Sequence, residues 1–216
     1  MGLLDLLFPP HCASCGRIGT AWCSTCRSAV EAMVTTTLEG VPLLSGGRFA
    51  GSLQRAIHTY KYAGHRELAG VLAPLLIQAV GGSGVQAAAV AFVPLHPERH
   101  RERGFNQAER LATELARSLS LPLVAGLARI RATPAQVGLR QAERRVNLLG
   151  SFAWAGPAAP TGVILVDDVC TTGATLQAAA AALRQAGGSV AAFAVLARAQ
   201  TFAPLAVTFP EQSACS

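Results

Sequence analysis

A chain of 216 residues with 51% hydrophobic and 14% charged residues can bury a sizeable core, which excludes a disordered polymer and suits one domain plus a small appendage. Its formal net charge of +6 is modest but unevenly spread. Arg99, Arg101, Arg103 and Arg110 crowd one segment, and Arg129, Arg131, Arg140, Arg144 and Arg145 another, a pattern that suits a polyanionic ligand or a solvated helix face.

Met1 to Phe8 is apolar but lacks a basic leading region, carries Asp5 and runs into Pro9-Pro10, so it does not read as a secretory signal. Leu6 stands where a myristoylation motif needs Ser or Thr. A cytoplasmic location is expected. Cys12-Ala-Ser-Cys15 and Cys23-Ser-Thr-Cys26 then form two C-x-x-C turns across a short spacer, a spacing able to close a tetrahedron around one structural zinc. Two disulfides are the competing reading, which a reducing compartment disfavours. His11 could substitute as a ligand, whereas Cys170 and Cys215 stand apart as free thiols.

Leu53, Ala56, Ile57 and Tyr60 recur at helical spacing over 52–60, and Leu68, Val71, Leu72, Leu75 and Leu76 do so over 66–80. Between them Lys61 to Gly64 reads as a turn that offers Lys61 to a ligand or to water. The uncharged run from Val71 to Val93 is long enough to raise a membrane span, but Pro74, Gln78, Gln86 and the glycines of 81–84 divide it, so none is expected. A strand is predicted over 88–93, followed by a basic loop over 99–103 and a helix to Leu119. Another strand is predicted over 123–130, and then a long polar connection over 133–150.

Gly162 and the apolar run Val163 to Val166 predict a buried parallel strand that ends in Asp167 and Asp168. Beyond the acids, Thr171, Thr172, Gly173, Ala174 and Thr175 bring backbone N–H groups and hydroxyls to the start of a helix, which is an anion site. Acids able to accept from vicinal hydroxyls beside a phosphate loop suggest a sugar-phosphate ligand. The helix is predicted over 174–185 and a last strand over 190–196. Strands alternating with helices imply an α/β fold with a mostly parallel sheet, the acidic and basic loops emerging at one edge.

This string resembles the phosphoribosyl pyrophosphate (PRPP) signature of type I phosphoribosyltransferases. With the four cysteines, Val93-Pro94-Leu95-His96-Pro97, Arg103-Gly104-Phe105-Asn106-Gln107, Gln136-Val137-Gly138-Leu139, Glu143-Arg144 and Asn147, the whole chain resembles the ComF family, also called GntX-like or amidophosphoribosyltransferase-like. The resemblance implies a zinc-binding module over 1–45 and a phosphoribosyltransferase-like parallel sheet flanked by helices over 46–216. It implies PRPP with Mg²⁺ at Asp167, Asp168, Thr171 to Thr175, Arg99, Arg103 and Lys61.

Two functions remain open at this point. One is a competence protein acting in DNA uptake or single-stranded DNA handling, with Arg101, Arg103, Arg110, Arg140, Arg144 and Arg145 on the phosphates and a DNA-uptake helicase or recombination proteins as partners. The other is an active transferase moving ribose 5-phosphate from PRPP to an acceptor, with Asp167 and Asp168 as its catalytic residues. Trp22, Tyr60, Tyr62, Phe105 and Trp154 are the aromatics available for base stacking, or for core packing instead.

Overall fold

Apolar strands and amphipathic helices alternate along most of the chain, and the computed structural model describes residues 9–62, 65–130 and 150–199. In chain order come α1 (Ser24–Ser28), β1 (Thr36–Leu38), β2 (Val41–Ser45), α2 (Gly51–Tyr62), α3 (Leu68–Gly81), β3 (Ala89–Phe92), α4 (Pro97–Arg103) and α5 (Gln107–Leu119). They are followed by β4 (Leu123–Val124), β5 (Leu127–Arg129), β6 (Phe152–Trp154), β7 (Val163–Cys170), α6 (Ala174–Gln185) and β8 (Val190–Arg198).

Six strands form one sheet in the order β1-β2-β8-β7-β3-β4, antiparallel only between β1 and β2. In β7, Ile164 and Val166 face one side and Val163 and Leu165 the other, all fully buried. Each such side chain contributes roughly 1.5–3 kcal/mol of burial. The Ile164 face is covered by α2, α3 and α5 through Leu53, Leu72 and Leu111, and the Val163 face by α6 through Leu176 and Leu183. Trp22 and the buried cysteines join the core under α2, so the cysteine segment packs onto the sheet domain directly. The hairpin β1–β2 lies within 1–45 yet pairs onto β8, so the sheet begins at Thr36.

Several predicted elements change on folding. Lys61 and Tyr62 are the last turn of α2, not a turn beyond it. The expected basic loop over 99–103 is the short helix α4, with Pro97 at its first position and Gly104 ending it at φ 73. The predicted strand over 123–130 splits, because β4 pairs with β3 while β5 turns away to pair antiparallel with β6. β7 also runs through both acids to Cys170, since β8 extends to Arg198 and continues the ladder, Asp167 opposite Val195 and Cys170 opposite Arg198. Among the described residues no helix is long and apolar enough to cross a membrane.

Candidate functional site

The chain leaves β3 toward β4 on one side and leaves β7 toward β8 on the other. The carboxyl ends of β3 and β7 therefore flank a switch point, the place where open parallel sheets leave a crevice for ligands. Into it come α4 from β3 and the acidic strand end from β7. Asn106 locks the β3 side: its Nδ2 donates to Val93 O at 3.0 Å while its Oδ1 caps α5 by accepting from Ala108 N at 3.0 Å. Phe105 packs on Tyr60 beneath, and Tyr60 donates its hydroxyl to Gln107 O. The Gly104 to Gln107 motif is thus scaffold for the crevice.

On the β7 side, Thr171, Thr172 and Gly173 form the turn, and Ala174 and Thr175 open α6. Thr172 Oγ1 accepts from Ala174 N at 3.4 Å, and Gly173 is the N-cap at φ 79, bringing no side chain to the helix's first N–H groups. A Cβ at Gly173 would also lie 2.7 Å from Leu38 Cδ1. Left-handed strain and overpacking then act together, and Gly173→Ala is expected to cost about 2–4 kcal/mol in urea unfolding. A loss under about 0.5 kcal/mol, the scale of an ordinary surface change, would show that the turn relaxes freely.

Asp168 is 9% exposed, and its Oδ2 lies 3.0 Å from Lys61 Nζ at the end of α2. Asp167 Oδ1 accepts from Asp168 N at 2.8 Å. Burial and the neighbouring Asp168 charge push the Asp167 carboxyl up to about 7, against the opposing pull of the Asp168 N–H, Lys61 and Arg129. Arg129, at the end of β5 with its guanidinium 5.5 Å from the Phe152 ring centroid, is lowered by burial and by Arg99 and raised by Asp167. Acids and basic side chains from four distant segments, near 61, 99, 129 and 167, therefore share one field.

Arg99 is half-buried near Arg129, and Arg103 donates from Nη1 to Gln107 Oε1 at 3.1 Å with its guanidinium over Tyr62. Arg101 on α4 and Arg110 on α5 point to solvent, and Arg140, Arg144 and Arg145 lie outside the described residues. The motif residues Gln136 to Leu139, Glu143 and Asn147 lie outside them too. Cys170 is a buried thiol raised to about 12 by burial and then by Asp167, which leaves it protonated. Two residues escaped assignment to the site from sequence. Arg129 stood in a basic cluster with nothing to tie it to the acids. Arg198, 1% exposed opposite Cys170, donates from Nη2 to Val34 O at 3.0 Å, and its signal was a charge closing an apolar strand.

The four Sγ atoms of Cys12, Cys15, Cys23 and Cys26 lie within 4.8 Å of one another, with Cys23 3.7 Å from Cys12 and 3.8 Å from Cys15. A zinc bound tetrahedrally at about 2.3 Å sets its sulfurs about 3.8 Å apart, so the thiols fit the ion. Cys23 N donates to Cys12 Sγ at 3.4 Å, the kind of outer hydrogen bond that steadies a thiolate ligand. Thr59 Oγ1 and Arg55 Nε of α2 donate to Ala13 O and Ser14 O, pinning the first knuckle to the sheet domain.

Residues 3–37 match the family model of the double zinc ribbon domain, and residues 105–204 that of the phosphoribosyl transferase domain. The chain is similar to the DNA utilization protein YhgH of Salmonella typhimurium, 33% identical over 153 residues that span 68% of this chain and 67% of that protein. It is 39% identical to Competence protein F of Haemophilus influenzae over 103 residues, 46% of this chain and 45% of that one. Competence protein ComFC of Streptococcus pneumoniae is 36% identical over 95 residues, 44% of this chain and 41% of its own length. One-third identity sustained over two thirds of both chains reflects common descent, and with the two domain models matching in tandem the chain belongs to the ComF family.

Proposed function

We propose that the chain binds PRPP with Mg²⁺ in the crevice at the ends of β3 and β7 and works in single-stranded DNA handling during DNA uptake, in the cytoplasm. The observation that carries the ligand half is the acid pair leading into the glycine-capped start of α6 at a topological switch point. Asp167 and Asp168 accept from the two ribose hydroxyls, and the N–H groups from Thr172 to Thr175 receive the 5′-phosphate. Arg99, Arg103 and Lys61, with Arg129 beside them, face the pyrophosphate. Mg²⁺ would enter with the pyrophosphate beside Asp167 and Asp168, and the chemistry it would supply is neutralisation of the pyrophosphate charge. Lys61 Nζ lies 3.0 Å from Asp168 Oδ2, so in this reading the acid that meets the ribose also steadies the lysine that meets the pyrophosphate.

PRPP with Mg²⁺ at about a hundredfold its dissociation constant is expected to stabilise the fold by roughly 2.7 kcal/mol, read as a raised melting temperature. Asp167→Asn combined with Asp168→Asn should abolish the shift and leave the ligand-free fold intact. A double variant that responds like the parent would place the site elsewhere.

The DNA half rests on family membership together with the exposed arginines. The relatives named for DNA utilization and competence support it, and a DNA-uptake helicase or recombination proteins are the partners it implies. Replacing the exposed Arg101 and Arg110 by alanine should flatten the slope of log affinity against log salt by roughly 0.7 per phosphate contact removed. The acid-pair variants should retain binding in the same anisotropy series. A parent with no salt dependence removes this half.

A transferase reading is favoured by one arrangement, the buried acid pair with Lys61 Nζ 3.0 Å from Asp168 Oδ2, which sets fixed charges where a ribose and a leaving pyrophosphate would develop theirs. In that reading the cysteine module over 1–45 is the hood over the acceptor, while 46–216 holds PRPP. Pyrophosphate release from labelled PRPP, with and without a single strand, separates turnover from ligand sensing.

A further inference from the structure

Folding sorts the aromatic side chains that the sequence offers for stacking. Trp22, Tyr60 and Phe105 are buried, and Trp154 donates its indole N–H to Pro157 O. Tyr62 is 71% exposed and, among the described residues, is the one aromatic in the set of exposed large apolar side chains. Its setting is nevertheless ordered. The Arg103 guanidinium lies over the ring at 5.3 Å, and His58, one turn back on α2, lies 6.3 Å away at 49°. His58 in turn stacks on Phe49 at 6.1 Å and 19°, and Phe49 is tied by its N–H to Arg198 O at the end of β8. A ladder of flat groups thus rises from the sheet and ends on a ring open to water.

We propose that Tyr62, braced by His58 and Arg103, is a stacking platform for one nucleobase of a single strand, an inference that rests on the DNA half of the proposed function. Three observations favour that occupant. An aromatic face held in place but left in water presents a π-surface that any base can cover, the sequence-tolerant contact of single-strand binders. The guanidinium over the ring belongs to α4, whose Arg99 and Arg101 supply positive charge for flanking phosphates. The preceding residue, Lys61, reaches Asp168, so the platform stands at the rim of the crevice. A base stacked there places its own phosphate toward α4.

The platform predicts a preference that phosphate contacts cannot produce. By fluorescence anisotropy the parent should bind oligothymidylate about five- to a hundredfold more tightly than an abasic strand of equal length. Tyr62→Ala should lose most of that margin at an unchanged salt slope and melting temperature, and Tyr62→Phe should keep it. Equal affinity of the parent for both strands, or a full margin in Tyr62→Ala, overturns the platform and leaves the phosphate contacts standing. Failure of both strands to bind overturns the DNA half itself. Thymidine monophosphate in a parallel titration identifies the source of the base: binding that depends on Tyr62 without strand binding keeps the platform and assigns it to a free nucleotide.

Discussion

Stripping zinc from the four cysteines is expected to unfold the N-terminal ribbon and to lower the melting temperature of the whole molecule. The segment from Pro9 to Val30 has one short helix and little core of its own beyond Trp22, so its order depends on the ion. Apparent zinc binding in small modules is worth about 10–16 kcal/mol near neutral pH, more than a typical domain's net stability. The loss spreads because Cys12, Trp22, Cys23 and Cys26 share a core with Leu53, Ile57 and Tyr60, and because α2 donates to Ala13 O and Ser14 O. Since α2 also positions Lys61 against Asp168, chelation should weaken PRPP binding as well. Metal analysis should find one zinc per chain, and Cys12→Ser or chelator should shift tryptophan fluorescence toward that of solvated indole as Trp22 leaves its pocket. Metal-free protein with four freely titrating thiols and an unchanged melting curve would refute the site.

The second large effect is a stability that falls as pH rises. Asp167 titrates near 7 in the folded chain, against an ordinary carboxyl value near 4, because burial and Asp168 oppose its charge. Between those two pH values the unfolded chain carries the ionised group while the folded chain still holds the proton, so the native state binds more protons and stability drops through that window. Above about 7 both forms are ionised and the full cost remains. Keeping the proton to near pH 7 instead of near pH 4 corresponds to about 4 kcal/mol, which solvent reaching the half-buried Asp167 reduces to about 2 kcal/mol. Asp167→Asn should therefore be about 2 kcal/mol more stable than the parent at pH 8 and equal to it at pH 4, measured by urea unfolding at each pH. A variant whose advantage is the same at both pH values would trace the effect to packing and not to charge. The acid pair in this view is a cost the fold carries for its ligand.

Much of the site was legible because its signals are local. The cysteine spacing carries the tetrad in a few residues, and the period of Leu111, Ala112, Leu115 and Ala116 marks α5 with its end at Leu119. The run from Val163 to Thr175 shows strand, acids, turn and helix in order, since each step depends on neighbours in sequence. Even the basic segment was placed at the right strand end, although its shape was missed. Pro97 and Gly104 are start and stop signals for a helix, and the density of charge between them masked a segment too short to show periodicity.

By itself the sequence determined the helices near 52–60 and 66–80, the strand at 88–93, the strand, turn and helix from 163 to 185, the last strand and the four-cysteine spacing, but not the hairpin β1–β2, the helix α4 or the pairing of β5 with β6. Tertiary structure alone decided which groups meet: Lys61 on Asp168, Arg129 beside Asp167, Arg198 tying the Val34 linker to the end of β8, and Tyr62 left in water while Tyr60 is buried two residues earlier. The reason is physical. Spacing and periodicity report forces between residues a few positions apart, whereas an ion pair, a raised carboxyl or an open ring depends on the dielectric and the neighbours supplied by strands paired across the sheet.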